Sequence, residues 1–175
     1  MMKRSAVPPG ITYSPRSGKR YANSGSENRS NGYDSSRRYL PPANFVPVVI
    51  SGSLAFVSGQ GPLSDGTVVW KGSVGHDITP DEGYQAARLA AINALSVLKN
   101  ELGSLNRIKR FVKLLAWVRS APGFDQQHLV INGASDFIVE VFGDKGKHAR
   151  SAVSATELPL GMAVEIEMIA EIAAE

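Results

Sequence analysis

The sequence predicts an α+β fold of two layers, in the order β-β-β-α-β-α-β-β, with both helices on one face of a single sheet. Three observations lead there. Period-two alternation marks short strands near both ends of the region from residue 41 onward. Two segments of helical period follow the first strands, one with a complete start signal. A long apolar segment rich in β-formers, Ile108 to Val118, lies between the helices.

Residues 1–40 stand apart from this pattern. They have no apolar period, are rich in Ser, Gly, Asn, Arg and Tyr, and bury too little to offset their chain entropy. We read them as a disordered, solvated basic tail, with 41–175 as one domain. Of 19 basic and 16 acidic residues, residues 1–39 hold eight and two, so the remainder carries 11 and 14, a net −3. The high isoelectric point therefore belongs to the tail, and the folded part does not have the charge of a nucleic-acid-binding surface. A Ser- and Arg-rich, acid-poor start also fits an organelle transit peptide, although Pro8-Pro9-Gly10 spoils an amphipathic helix. The expected location is the cytoplasm, with organelle import through residues 1–40 as the alternative.

The elements follow in order. Val46 to Ile50 and Leu54 to Ser58 are strands around the turn Ser51-Gly52-Ser53. Val68 to Trp70 is a short third strand after Asp65-Gly66. Thr79 is a helix N-cap, Pro80 takes the first helical position and Glu82 completes a capping box. Tyr84, Ala87, Ala91, Leu95, Leu98 and Leu102 form the apolar stripe, and Gly103 ends the helix. After the central strand, Ser120-Ala121-Pro122-Gly123 is a break. Phe124 to Phe142 is the second helix, with Val130, Ile131, Ala134, Phe137, Ile138 and Val141 buried. Two last strands surround Leu158-Pro159-Leu160-Gly161. Helices on one face leave the other face of the sheet uncovered, which points to oligomerisation through the sheets.

Composition narrows the chemistry. The chain has no cysteine, so it has neither a disulfide framework nor a thiolate nucleophile. Its three histidines, His76, His128 and His148, show no metal-ligand spacing. No metal and no cofactor are expected. No apolar run approaches the ~18 residues needed to cross a bilayer, so no membrane partner is expected.

The last two strands carry the chemistry. Ala149, Ser151, Val153 and Ala155 alternate with Arg150, Ala152, Ser154 and Thr156; Val164, Ile166 and Met168 alternate with Glu165 and Glu167. Alternation alone reads first as two solvated strand faces, with Arg150 in a structural salt bridge. An arginine and a carboxylate on rigid strands also suit a small anion and a water. His148 reads as a loop histidine, and Trp70 and Trp117 as core.

Arg150-Ser151-Ala152-Val153, Glu157-Leu158-Pro159 and Val164-Glu165-Ile166-Glu167 together resemble the closing signature of the RidA/YjgF family. Ser58-Gly59-Gln60-Gly61-Pro62 resembles its second signature, and Val130 to Asp136 with Glu140 to Gly143 is similar to a longer-chain branch. The family was once named for an endoribonuclease activity (L-PSP) and is now associated with hydrolysis of reactive enamines and imines. The resemblance implies a chorismate-mutase-like fold and a homotrimer with ligand clefts between subunits. It also implies a small carboxylate-bearing imine or keto acid as partner, deaminated to a 2-keto acid and ammonia. Arg150 matches the family arginine that grips a substrate carboxylate, and Glu165, fifteen residues on, the glutamate that positions a water. Ser58 and Gly59 match the turn that lines the cleft, and Asn132 a family asparagine on the second helix. Two positions depart. Phe45 stands where many members have a tyrosine, and Ala152 where many have a cysteine. A non-catalytic trimer that binds small carboxylates is the alternative, and ribonuclease activity a third reading.

Overall fold

The computed structural model describes residues 44–174, and the tail expected over residues 1–40 lies outside them. Strands β1 (Val48–Ser51) and β2 (Leu54–Gln60) form the expected hairpin, with Gly52 at its tip at a φ of 59°. The next two strands, β3 (Leu63–Ser64) and β4 (Thr67–Val68), pair only with each other. The third expected strand is thus part of a small ribbon outside the main sheet.

Helix α1 (Pro80–Leu102) has the capping box: Thr79 accepts from the Glu82 N–H, and the Glu82 carboxylate accepts from the Thr79 N–H. Gly103 ends it at a φ of 73°, an angle that costs glycine nothing. Strand β5 (Ile108–Arg119) follows. The second helix comes as two pieces, α2 (Gln127–Val130) and α3 (Asn132–Phe142), where one helix from Phe124 was expected. The chain tightens at Ile131, whose carbonyl accepts from the Ala134 N–H at i→i−3 spacing. Asn132 and Gly133, both poor helix formers, follow that point. The expected stripe holds at Val130, Ile131, Ala134 and Ile138, but Val141 is exposed. Strands β6 (Ala149–Ala155) and β7 (Val164–Ile172) complete the chain.

The main sheet runs β1-β2-β7-β5-β6. Only the β5–β6 pair is parallel. Along β7 the even-numbered residues Val164 to Ile172 are buried, while Glu165, Glu167, Ile169 and Glu171 point the other way. The buried face meets a helix surface made largely of alanines, Ala86, Ala87, Ala90, Ala91 and Ala94, which let α1 lie close to the sheet. Helix α3 packs beside α1. Tyr84 donates to Asp136 at 3.0 Å, and Arg88 bonds Glu140 at 3.0 Å with its guanidinium over the Phe137 ring. The two-layer α+β architecture is therefore the expected one. On the other face Val49, Phe56 and Val153 are exposed, and Trp117, expected in the core, lies there half-buried.

The helices meet closely at Gly133, where an added Cβ would overlap the Tyr84 carbonyl oxygen. Gly133→Ala is expected to lower the unfolding free energy by about 1–3 kcal/mol in urea titrations followed by circular dichroism. An unchanged midpoint would show that the helices have slack there.

Candidate functional site

Arg150 is on edge strand β6, in register with Leu114 of β5, so it shares the helix side of the sheet with that buried leucine. Its side chain runs to the helix layer. Nη1 donates to Asn132 Oδ1 at 2.9 Å and to Ser135 Oγ at 3.0 Å, and Nη2 donates to the His128 carbonyl at 3.1 Å. All three acceptors are neutral. No carboxylate pairs with Arg150 among the described residues, so the expected salt-bridge reading does not describe it. Three of five donors are used, leaving Nε–H and one Nη2–H, the number a carboxylate accepts from an arginine fork.

Glu165 lies on β7 opposite Trp117, on the uncovered face. Between Val57 and Gln60 strand β2 carries one residue more than β7 opposite it, a bulge that brings Ser58-Gly59 against Glu165. A Cβ at Gly59 would overlap Glu165 Oε1, so any other residue would force the carboxylate to move. The turn is held from several sides. Ser58 N–H donates to the Pro47 carbonyl at 2.9 Å, Gln60 Nε2 donates to the Ser58 carbonyl at 3.3 Å, and Asn93 Nδ2 of α1 donates to the Gly61 and Leu63 carbonyls. Glu165 has no hydrogen bond or ion pair among the described residues. Burial, with the nearby Glu167 charge adding to it, raises its carboxyl above the ordinary range.

Arg150 and Glu165 do not meet within one chain. Glu165 pairs with Trp117, which pairs with Val153, three residues beyond Arg150. Strand spacing and rise put their Cα atoms roughly 14 Å apart, and their side chains leave opposite faces. Asn132, by contrast, meets Arg150 directly. Ala152 is half-buried on the helix side beside Ala116. Phe45 is exposed on the segment before β1, next to Val46. Val46 helps line a groove on the uncovered face with Val49, Phe56, Ser58, Lys113 and Glu167. That groove reaches neither Arg150 nor Glu165.

Ser135 and the His128 carbonyl are Arg150 partners that sequence reasoning missed. The signal for Ser135 was present: it follows Asn132 by three residues, which places both on one helix face. His148, expected as a loop histidine, does lie in the loop immediately before β6, where it is half-buried. Its Nδ1 lies 2.6 Å from the Gly146 carbonyl and its Nε2 3.1 Å from Ser135 Oγ. Among the described residues no group of acidic, histidine or cysteine side chains is placed to hold a metal ion, and no helix is long and apolar enough to cross a membrane.

Residues 38–172 match the family described as "YjgF/chorismate_mutase-like, putative endoribonuclease". The chain belongs to this YjgF family. The matched span contains all seven expected site residues. Protein TCP17 of Trypanosoma cruzi is 44% identical over 133 residues, covering 75% of this chain and 83% of that protein. A solved structure of a protein of unknown function from Agrobacterium tumefaciens is 47% identical, with a TM-score of 0.74 over 75% of this chain and 83% of that one. A structure from Shewanella oneidensis named a "putative endoribonuclease" is 33% identical, with a TM-score of 0.76 over 81% and 93%. The YjgF fold is thus shared by sequence and by shape.

The raised Glu165 carboxyl gives a pH test. A carboxyl whose folded pKa exceeds its unfolded value lowers stability as pH rises from its ordinary 4.5 through the folded value. Glu165→Gln removes that loss. The variant is expected to melt with wild type at pH 4 and roughly one to two degrees above it at pH 7, a small gain because the carboxyl is half in solvent. A variant that melts below wild type at pH 7 would mean the charge is stabilised by a partner.

Proposed function

We propose that this YjgF protein hydrolyses small 2-imino acids and their enamine tautomers of the 2-aminoacrylate type, giving 2-keto acids and ammonia. The observation that supports this best is the Arg150 guanidinium, held by three neutral oxygens with two donors unspent. Such an arrangement keeps a full positive charge aimed and uncompensated, which suits a substrate carboxylate. Asn132 and Ser135 hold the clamp. Ser58 and Gly59 set the position of Glu165 and line the place where a water is taken up.

In this mechanism the imine carboxylate takes the two free donors of Arg150. Glu165 accepts a proton from a water as the water oxygen bonds to the imine carbon. That proton passes to the imine nitrogen, giving a carbinolamine; the hydroxyl proton then moves to the amine nitrogen as the carbonyl forms and the carbon–nitrogen bond breaks, and ammonia leaves with a 2-keto acid behind. A carboxylate with a raised pKa is a better base than an exposed one. Imines hydrolyse readily in water, so positioning and proton transfer can supply the acceleration without a cofactor.

In this reading, because Arg150 and Glu165 leave opposite faces, each cleft joins Arg150 of one copy to Glu165 of the next. A homotrimer closed through the uncovered sheet faces makes that junction and buries Val49, Phe56 and Val153. A second reading is a trimer that binds keto acids without turnover. It is favoured by Phe45, which offers a ring and no hydroxyl, and by Ala152. Nuclease activity has less support, because residues 40–175 carry a net −3.

The test is release of ammonia and keto acid from 2-aminoacrylate and from imines made in place by an amino-acid oxidase. Arg150→Ala is expected to lower the accelerated rate about 100-fold or more; full activity in that variant would end the clamp role. Saturable keto-acid binding that depends on Arg150, without turnover of any imine, would favour the binding reading.

Mixed assemblies test the shared cleft. Arg150→Ala and Glu165→Gln chains, each inactive alone, are expected to regain about a quarter of wild-type activity when unfolded together and refolded in equal amounts. No recovery in well-folded mixed assemblies would place both residues in one chain's site.

A further inference from the structure

We propose that Ser135 and His148 are positioning residues for the Arg150 clamp, and that proton uptake at His148 is linked to its occupation by an anion. This rests on the carboxylate reading above for the identity of the anion, but the chain of contacts stands on its own geometry.

Hydrogen bonding allows one proton order while His148 is neutral. The Gly146 carbonyl, 2.6 Å from Nδ1, can only accept, so Nδ1 carries the proton. Nε2 is then an acceptor, and the Ser135 hydroxyl, 3.1 Å away, donates to it. That turns a lone pair of Ser135 Oγ to Arg150 Nη1 at 3.0 Å. Backbone carbonyl, imidazole, hydroxyl and guanidinium form one directed chain. Asn132 takes the other Nη1 proton at 2.9 Å, so the guanidinium has its plane fixed on this side and its open donors on the other.

A proton on His148 disturbs this order. Nε2 becomes a donor, Ser135 Oγ has to accept from both sides, and its own hydroxyl proton must turn away. The new charge also lies about 6 Å from the guanidinium, since two contacts of 3.1 and 3.0 Å separate them. A carboxylate on Arg150 cancels that repulsion. Binding of an anion and binding of a proton therefore favour each other, and each must shift the other by the same factor.

The charges around the imidazole allow this. Arg150 is on its own strand. The Asp144–Lys147 pair on the preceding turn is internally neutral. Asp136 of α3 is bonded to Tyr84, and Lys113 of β5 donates to Ser151 on the far face. Burial holds His148 below its ordinary value; the Gly146 carbonyl pulls the other way, and the Arg150 charge adds a smaller downward effect. An occupied clamp removes the Arg150 contribution.

The experiment is NMR titration of the histidine ring protons in the full chain, with His148 assigned by His148→Gln and pyruvate as the probe carboxylate. In ligand-free protein, Arg150→Gln is expected to raise the His148 pKa by roughly half a unit, the effect of one charge at that distance in a high dielectric. Saturating pyruvate is expected to raise it similarly in wild type and not in Arg150→Gln. Pyruvate affinity should then rise as pH falls through the His148 pKa, and lose that dependence in His148→Gln. Ser135→Ala is expected to weaken pyruvate about tenfold, with Ser135→Thr restoring it through the retained hydroxyl. A His148 pKa indifferent to Arg150→Gln overturns the linkage even where pyruvate binds. A pKa that shifts with Arg150→Gln in protein that binds no pyruvate upholds the chain and overturns the carboxylate reading instead.

Discussion

In β5, Leu114, Ala116 and Val118 point at the helices, while Lys113, Leu115 and Trp117 point away. Side chains of a strand alternate with a period of two, so each neighbour paired with β5 inherits this division. Met168 and Arg150 fall in register with Leu114, on the helix side. Glu165 and Val153 fall in register with Trp117, on the other. A slip of one residue on β6 would move Arg150 away from Asn132 and Ser135. The core that fixes the register of β5 therefore also fixes where the charged groups emerge.

The two charged groups are kept under opposite conditions. Arg150 is surrounded by neutral acceptors that orient it without neutralising it. Glu165 has no partner and is partly desolvated against Gly59. Functional sites hold such groups because the surroundings are over-determined by packing. Here the surroundings are the α1–α3 contact at Gly133, which sets Asn132 and Ser135, and the β2 bulge, which sets Ser58 and Gly59.

Of the two positions that depart from the family pattern, Ala152 lies two residues from Arg150 on β6, while Phe45 precedes β1 at the opposite edge of the sheet. Phe45 has no hydroxyl and Ala152 no thiol, so each removes a polar atom and leaves the backbone path intact. Similarity to proteins named for endoribonuclease activity does not bring a basic surface with it, since the acidic balance of residues 40–175 is a property of this sequence.

Much of the fold was legible because its signals are local. Thr79-Pro80 with Glu82, the stripe from Ala87 to Leu102, the Gly52 turn and the alternation in β7 each depend on neighbours within a few residues. Arg150, Glu165, Asn132 and the Ser58-Gly59 turn were named through the order of short motifs. Sequence could not show that Val68 pairs with Leu63 outside the main sheet, because edge pairing depends on which backbone groups the rest of the sheet leaves open. It also could not show the break at Ile131, which lies where α3 closes on Tyr84, or the contact of His148 with Ser135, thirteen residues away on another element. Above all, period two assigned each residue to one of two faces within its own strand. Only tertiary packing decided that the Arg150 face of β6 is the helix side and the Glu165 face of β7 is the open one, because that depends on how separate strands align through β5.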